Sequence, residues 1–111
     1  MNLTYSNALR LAVVGLAKTL SKELGAYGIT VHTVAPGYHR TEGLERIVKK
    51  RVALGETAEG VYKQWEDSIA LKRIGEPQDL AALITFLASE QSSYMSGTTI
   101  QVDGGSYSGI M

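Results

Sequence analysis

Pro36, Gly37 and Thr41 close the most chemically suggestive stretch of the chain, T-V-H-T-V-A-P-G-Y-H-R-T-E from Thr30 to Glu42. A β-branched run ends abruptly in Pro36-Gly37, and Thr41 stands where a helix would begin. In an α/β sheet such a strand end presents groups to a ligand in the crevice beyond the carboxyl ends of the strands. Pro36 fixes φ and donates no hydrogen bond, and Gly37 opens turns closed to other residues, so the chain is expected to bend sharply there. His39, beside this loop, has the chemistry to exchange a proton, because an unperturbed imidazole titrates near about 6.5. His32, inside the strand, is expected to be a satisfied structural residue. No G-x-G-x-x-G phosphate loop occurs anywhere in the 111 residues, so half of a nucleotide site stands without its other half.

The elements that must position this loop follow from periodicity. Ser6 to Leu24 reads as an amphipathic helix with Leu9, Val13, Leu16, Leu20 and Leu24 on one face, and Ala8, Ala12 and Gly15 in a small-residue stripe. Gly25 and Gly28 end it, Gly25 at the position expected to take positive φ. Ile29 to Ala35 is a strand too apolar to be covered on one face only, as in a parallel sheet. Thr41 to Leu54 and Thr57 to Ser68 are expected helices, the second with Val61, Trp65 and Ile69 on one side. Arg73-Ile74-Gly75-Glu76-Pro77 is a turn, and Pro77 opens a helix whose buried face would be Leu80, Leu83, Ile84 and Leu87. Thr98 to Val102 is a final short strand, closed by the turn Asp103-Gly104-Gly105.

Composition removes several classes of function. Eleven Lys plus Arg balance eleven Asp plus Glu, so no overall positive field is available for nucleic acid or an anionic membrane. The absence of cysteine excludes disulfides and thiolate catalysis and suits a reducing cytoplasm. No apolar run approaches the roughly 20 residues of a spanning helix. The basic cluster Lys49-Lys50-Arg51 is diluted by Glu45, Glu56 and Glu59 and reads as a solvated helix surface.

Helix, strand, helices, strand is a leading helix plus one βαβ unit. Two strands leave an unpaired edge, so residues 1–111 are expected to be the carboxyl-terminal part of a larger Rossmann-like, doubly wound α/β domain. The segments Gly15-Leu16-Ala17-Lys18-Thr19-Leu20, Tyr27-Gly28-Ile29-Thr30-Val31, Ala35-Pro36-Gly37 with Thr41, Arg73-Ile74-Gly75-Glu76-Pro77, Phe86-Leu87-Ala88-Ser89 and Gly97 through Gly105 resemble the short-chain dehydrogenase/reductase family. The resemblance implies NAD or NADP as cofactor, its nicotinamide carboxamide held by Pro36, Gly37, the backbone near His39 and the Thr41 hydroxyl. It also offers Tyr38, Tyr62 and Trp65 as the lining of a lid over the substrate, with ordinary packing as the alternative reading of the three rings.

Catalysis in that family uses a tyrosine and a lysine four residues later, on one helix face, where the ammonium lowers the phenol pKa. Here Tyr5 is followed at that spacing by Leu9, and the family register counted back from Gly15 falls on Ser6 and Arg10. A serine hydroxyl is a far weaker acid than a phenol, and Arg stays protonated, so Ser6 and Arg10 suit gripping ribose or phosphate better than moving protons. The expected function is therefore a segment of an NAD(P)-dependent oxidoreductase acting, in a complete relative, on an alcohol, ketone or 3-oxoacyl thioester. The isolated chain is expected to be inactive. The alternatives are a non-catalytic module that pairs with a full-length relative, or a gene remnant. A homo-oligomer or a full-length relative is the expected partner.

Overall fold

A computed structural model describes residues 4–109, with side chains from residue 8 onward. The elements are α1 (Thr4–Leu24), β1 (Thr33–Pro36), α2 (Glu42–Ala53), α3 (Ala58–Ser68), α4 (Pro77–Leu87) and β2 (Thr99–Val102). Single 3₁₀ turns at Gly25–Tyr27 and Glu90–Ser92 complete them. The chain divides into two compact units, one holding the residues up to Ala35 with Thr85–Ile100, the other Pro36–Ile84 with the residues from Gln101 on.

In the first unit, α1 is followed by a turn in which Gly28, not Gly25, takes positive φ (74°) and returns its N–H to Gly25 O. The helix runs straight into a 3₁₀ turn at Gly25, so the left-handed residue falls three positions later. The strand is shorter than its apolar run. Val31 bonds through N–H to Ser96 Oγ (3.0 Å) and through its carbonyl to Gly97 N–H (2.7 Å), and regular pairing begins at Thr33. Thr33 N–H donates to Thr98 O at 2.9 Å. The expected coverage on both faces is incomplete, since β1 is only half-buried. The apolar stripe of α1 is likewise solvent-facing at Leu9, Val13 and Leu16, because no described element of this unit packs over it. His32 is half satisfied: Nδ1 lies 2.6 Å from Thr98 Oγ1, while the buried Nε2 has no partner among the described residues.

The second unit holds the buried core. Leu44 and Val48 of α2 meet Val61 and Trp65 of α3, with Ile69 and Ile74 from the segment that follows. Spacings of four put each pair on one helix face. Both helices start as local chemistry dictates. The Thr41 hydroxyl oxygen accepts from Leu44 N–H (3.2 Å) and that of Thr57 from Gly60 N–H (3.1 Å), each capping an orphan donor of the first turn. Glu42 and Glu45 add negative charge at the start of α2, and Lys50 and Arg51 positive charge at its end, as the helix dipole favours. Arg51 is not merely solvated. It donates to Glu56 Oε1 (2.7 Å) and Gln64 Oε1 (2.6 Å) and stands 5.9 Å above the Trp65 ring.

The helix α4 has no buried residue, and Ile84 is exposed, so its expected apolar face is at most half-covered. Its start is fixed from within: Asp79 Oδ2 accepts Glu76 N–H (2.8 Å) and Arg73 Nη1 (3.0 Å), which holds that carboxyl below the usual range. Strand order is β1-β2, and the bonds Thr33 to Thr98 and Gly37 to Val102 advance together along both strands, so the pair is parallel. This is the carboxyl-terminal part of a Rossmann-like α/β fold, a leading helix plus one βαβ unit.

Candidate functional site

The site is built from the end of β1 outward. Residues 31, 33 and 37 point their peptide groups at the partner strand, so Pro36 lies between them with its ring nitrogen on the open edge, where a missing N–H costs no ladder bond. Gly37 is required for a different reason than a left-handed turn. Its φ is not positive, but a Cβ there would sit 2.7 Å from Asp103 Cβ and 2.8 Å from Asp103 Cα. Only a residue without a side chain allows the loop after β1 to lie this close to the turn after β2. That turn is itself rigid: Asp103 accepts from Gly105 N–H (2.9 Å), Tyr107 N–H (3.0 Å) and the Ser106 hydroxyl (3.2 Å). These bonds, the Gly105 N–H foremost, hold the Asp103 carboxyl below the usual range.

Beyond Gly37 the chain is clamped by Gly75. Gly75 N–H donates to Tyr38 O (3.0 Å) and Arg40 N–H donates to Gly75 O (2.8 Å), an isolated parallel bridge centred on His39. Peptide directions alternate along an extended chain, so with both flanking groups turned to Gly75 the His39 N–H and C=O point to the opposite side. Neither takes a hydrogen bond from the described residues. A donor and an acceptor of one residue, side by side at a strand end, match a primary carboxamide, which offers one acceptor oxygen and two N–H donors. The nicotinamide end of a dinucleotide therefore fits this loop. The phosphate end finds no glycine-rich loop in the sequence.

The other expected residues are placed as follows. Thr41 is exposed, and its hydroxyl oxygen is engaged as the α2 cap, which leaves the O–H free to donate. Tyr38, Tyr62 and Trp65 form one cluster: Tyr38 stacks on Trp65 (5.0 Å, 20°), and Tyr62 meets Trp65 edge-on at 5.9 Å. Arg40 lies 5.5 Å over the Tyr62 ring and pairs with Glu76 at 3.1 Å. Arg10 is exposed on α1 in the first unit. The Tyr5 and Ser6 side chains lie outside the described residues. Sequence reasoning read Arg73 to Pro77 as a turn and missed Gly75 as the clamp, since a bridge to a residue 36 positions away leaves no local signal.

The sequence match agrees with this architecture. The family described as enoyl-(acyl carrier protein) reductase matches residues 2–107, and the chain belongs to the short-chain dehydrogenase/reductase family. It is similar to the short-chain reductase protein NovJ of Streptomyces niveus, 37% identical over 94 residues, which cover 85% of this chain and 35% of that protein. It is 39% identical over 100 residues to the 3-oxoacyl-[acyl-carrier-protein] reductase FabG of Haemophilus influenzae, covering 90% of this chain and 37% of the relative. The structure is similar to that of L-sorbose reductase from Gluconobacter frateurii complexed with NADPH and L-sorbose, with a TM-score of 0.87 and 27% identity over 94% of this chain and 40% of that one. The chain thus spans little more than a third of the length of these curated relatives.

Proposed function

We propose that residues 1–111 form the nicotinamide-facing portion of an NAD(P)-dependent reductase domain. The observation that carries this reading is the unpartnered His39 peptide opposite the Gly75 clamp. In this reading His39 N–H donates to the carboxamide oxygen, His39 C=O accepts its N–H, and the free Thr41 O–H adds a third bond, with Pro36 and Gly37 shaping the approach. A bound dinucleotide would supply hydride chemistry, NAD(P)H reducing a ketone or 3-oxoacyl thioester carbonyl or NAD(P)⁺ oxidising an alcohol; the names of the relatives support that class. Ser6 and Arg10, at the family positions, grip ribose or phosphate, and Tyr5 is the alternative acid. Without a phosphate loop or an aligned tyrosine and lysine, the isolated chain does not turn over. A cytoplasmic setting belongs to the same reading, on the absence of cysteine.

The test follows the carbonyl carbon of His39 in ¹³C,¹⁵N-labelled chain. NADP⁺ should shift it, and the 3-acetylpyridine analogue, which keeps the carbonyl oxygen but lacks the amide N–H that His39 C=O would accept, should shift it several-fold less at equal concentration. Equal response to both sinks the carboxamide reading. With NADH or NADPH and a panel of ketones and 3-oxoacyl thioesters, no protein-dependent loss of absorbance is expected; turnover abolished by Tyr5→Phe would assign the acid to Tyr5.

A second reading is favoured by the exposed Leu9, Leu11, Val13 and Leu16 on α1, a non-catalytic module that pairs with a full-length relative. Co-purification with a longer relative, in the absence of any cofactor response, selects it.

A further inference from the structure

His39 is tied into the second unit through its ring as well as its peptide. The residue is only 9% exposed, and its imidazole lies over Gly75, where a Cβ would stand 2.8 Å from Cδ2 and 2.9 Å from Nε2. Nδ1 lies 3.1 Å from the Gly37 carbonyl oxygen. A carbonyl can only accept, so Nδ1 carries a proton, and in its neutral form the ring is the Nδ1–H tautomer. This is the one hydrogen bond the imidazole makes among the described residues.

The bond falls where the loop has least other support. Gly37 N–H is fixed by Val102 O (2.9 Å), and Tyr38 O is fixed by Gly75 N–H (3.0 Å). The peptide between them, Gly37 C=O with Tyr38 N–H, has no backbone partner among the described residues. It follows a glycine, whose backbone turns more freely than that of any other residue. A side chain at position 37 would restrict that turning, but a Cβ there would lie 2.7 Å from Asp103 Cβ, so none fits. The ring of residue 39 thus supplies the restraint that residue 37 cannot carry itself.

We infer that the His39 imidazole is a positioning residue for the nicotinamide end of the dinucleotide, acting through Gly37. It rests on the carboxamide reading of the His39 peptide. The two parts of the residue then have separate duties: the peptide N–H and C=O meet the carboxamide, and Nδ1–H pins the Gly37 carbonyl so that the loop enters the site in one shape. A loop already held in its binding shape loses less freedom when the ligand arrives, and the difference appears as affinity.

Three substitutions separate this role from packing. The amide nitrogen of asparagine stands one bond from Cγ, as Nδ1 does, so His39→Asn rebuilds the donor to Gly37 with less bulk. His39→Gln places its amide nitrogen where Nε2 was, and His39→Leu keeps apolar bulk with no donor. Without dinucleotide, long-range ¹H–¹⁵N spectra of the full ¹³C,¹⁵N-labelled chain should show His39 as the Nδ1–H tautomer, the His39→Leu spectrum telling its signal from that of His32. The Gly37 carbonyl carbon should shift in the Leu and Gln variants and stay near its place in the Asn variant. With NADP⁺, the dissociation constant should rise roughly threefold to tenfold in Leu and Gln, the range of one lost hydrogen bond, and stay within about twofold in Asn. An Nε2–H tautomer in the unaltered chain, or a Gly37 carbonyl unmoved in His39→Leu, would overturn the anchor whatever the variants do with NADP⁺. An Asn variant as weak as Leu would assign the effect to the bulk of the ring, and equal affinity in all variants would remove the positioning role. If NADP⁺ leaves the unaltered chain unmoved, the carboxamide reading falls and the positioning role with it, while the spectra without dinucleotide still decide the anchor.

Discussion

The Trp65 ring lies 5.0 Å from that of Tyr38 at an interplanar angle of 20°, which joins the face of α3 to the residue immediately after Gly37. Trp65 is 7% exposed and belongs to the buried cluster, so the stack fastens the loop after β1 to the core of its unit and not to a mobile surface. Truncation should therefore act on both. Trp65→Ala is expected to cost about 3 to 5 kcal/mol of unfolding free energy. Tyr38→Leu, which keeps apolar bulk but loses the ring pair, should cost about 0.5 to 1.5 kcal/mol. Denaturant titration followed by the emission of the single tryptophan measures the second variant, and far-UV circular dichroism the first.

The contrast between what local sequence revealed and what it hid has a physical origin. The helices α2 and α3 were legible nearly to the residue, because Thr41 and Thr57 cap their own first turns and the Leu44–Val48 and Val61–Trp65 spacings need only one helix period. The strand was read four residues too early, since Ile29 to His32 have strand-like composition but their pairing depends on the distant Ser96-Gly97 segment. The exposed face of α4 was read as buried because periodicity reports which face is apolar, not whether anything covers it. The Pro36-Gly37 loop was legible as a site. Its geometry was not, because the clamp by Gly75 and the close approach to Asp103 are contacts between segments 36 or more residues apart.

Gly75 gives a direct handle on that clamp. An alanine Cβ at this position would stand 2.8 Å from His39 Cδ2 and 2.9 Å from Nε2, and the ring cannot retreat without breaking its bond to Gly37 O. Gly75→Ala should destabilise the unit by about 1 to 3 kcal/mol through overpacking. It should also move the His39 imidazole resonances while leaving those of His32 in place. Unaltered His39 signals would mean that the loop yields freely and the clamp is soft.

Thr41 carries two separable duties. Its oxygen caps α2, so Thr41→Val should lower stability by about 0.5 to 2 kcal/mol without any cofactor present. Thr41→Ser restores the cap and the free O–H together. Asp at this position caps but cannot donate when ionised, so Thr41→Asp should keep stability and lose nicotinamide affinity. Thermal unfolding paired with NADP⁺ titration separates the two effects, and an affinity unchanged in Thr41→Asp removes the hydroxyl from the cofactor contacts.

Acid should weaken the second unit in a defined window. The Asp103 carboxyl is held below its usual range by Gly105 N–H first, and the Asp79 carboxyl by Glu76 N–H first. Each binds its proton less readily folded than unfolded, so its stabilisation is present above the unfolded value and lost as pH falls through the folded one. Stability should thus decline below about pH 4, and Asp103→Asn, already without that charge, should show a shallower decline from a lower starting point. Denaturation midpoints measured across this range test the assignment; parallel curves for the two proteins would show that Asp103 contributes nothing to the slope.

The last prediction concerns the first unit. Leu9 is 68% exposed, Val13 58% and Leu16 59%, a stripe of large apolar groups along one face of α1 with nothing described over them. Contiguous apolar surface on this scale marks an interaction face, and its burial at roughly 25 cal/mol per Å² is worth several kcal/mol before association entropy is charged. The chain should therefore form dimers or larger assemblies at micromolar concentration, and the double variant Leu9→Glu with Leu16→Glu should shift it toward monomer. Lysine in place of glutamate at the same sites distinguishes burial from a charge effect, since both variants should dissociate the assembly if the apolar face holds it. Light scattering that reports a monodisperse monomer for the unaltered chain would mean that α1 finds its own cover in solution, and that the face is not an association surface.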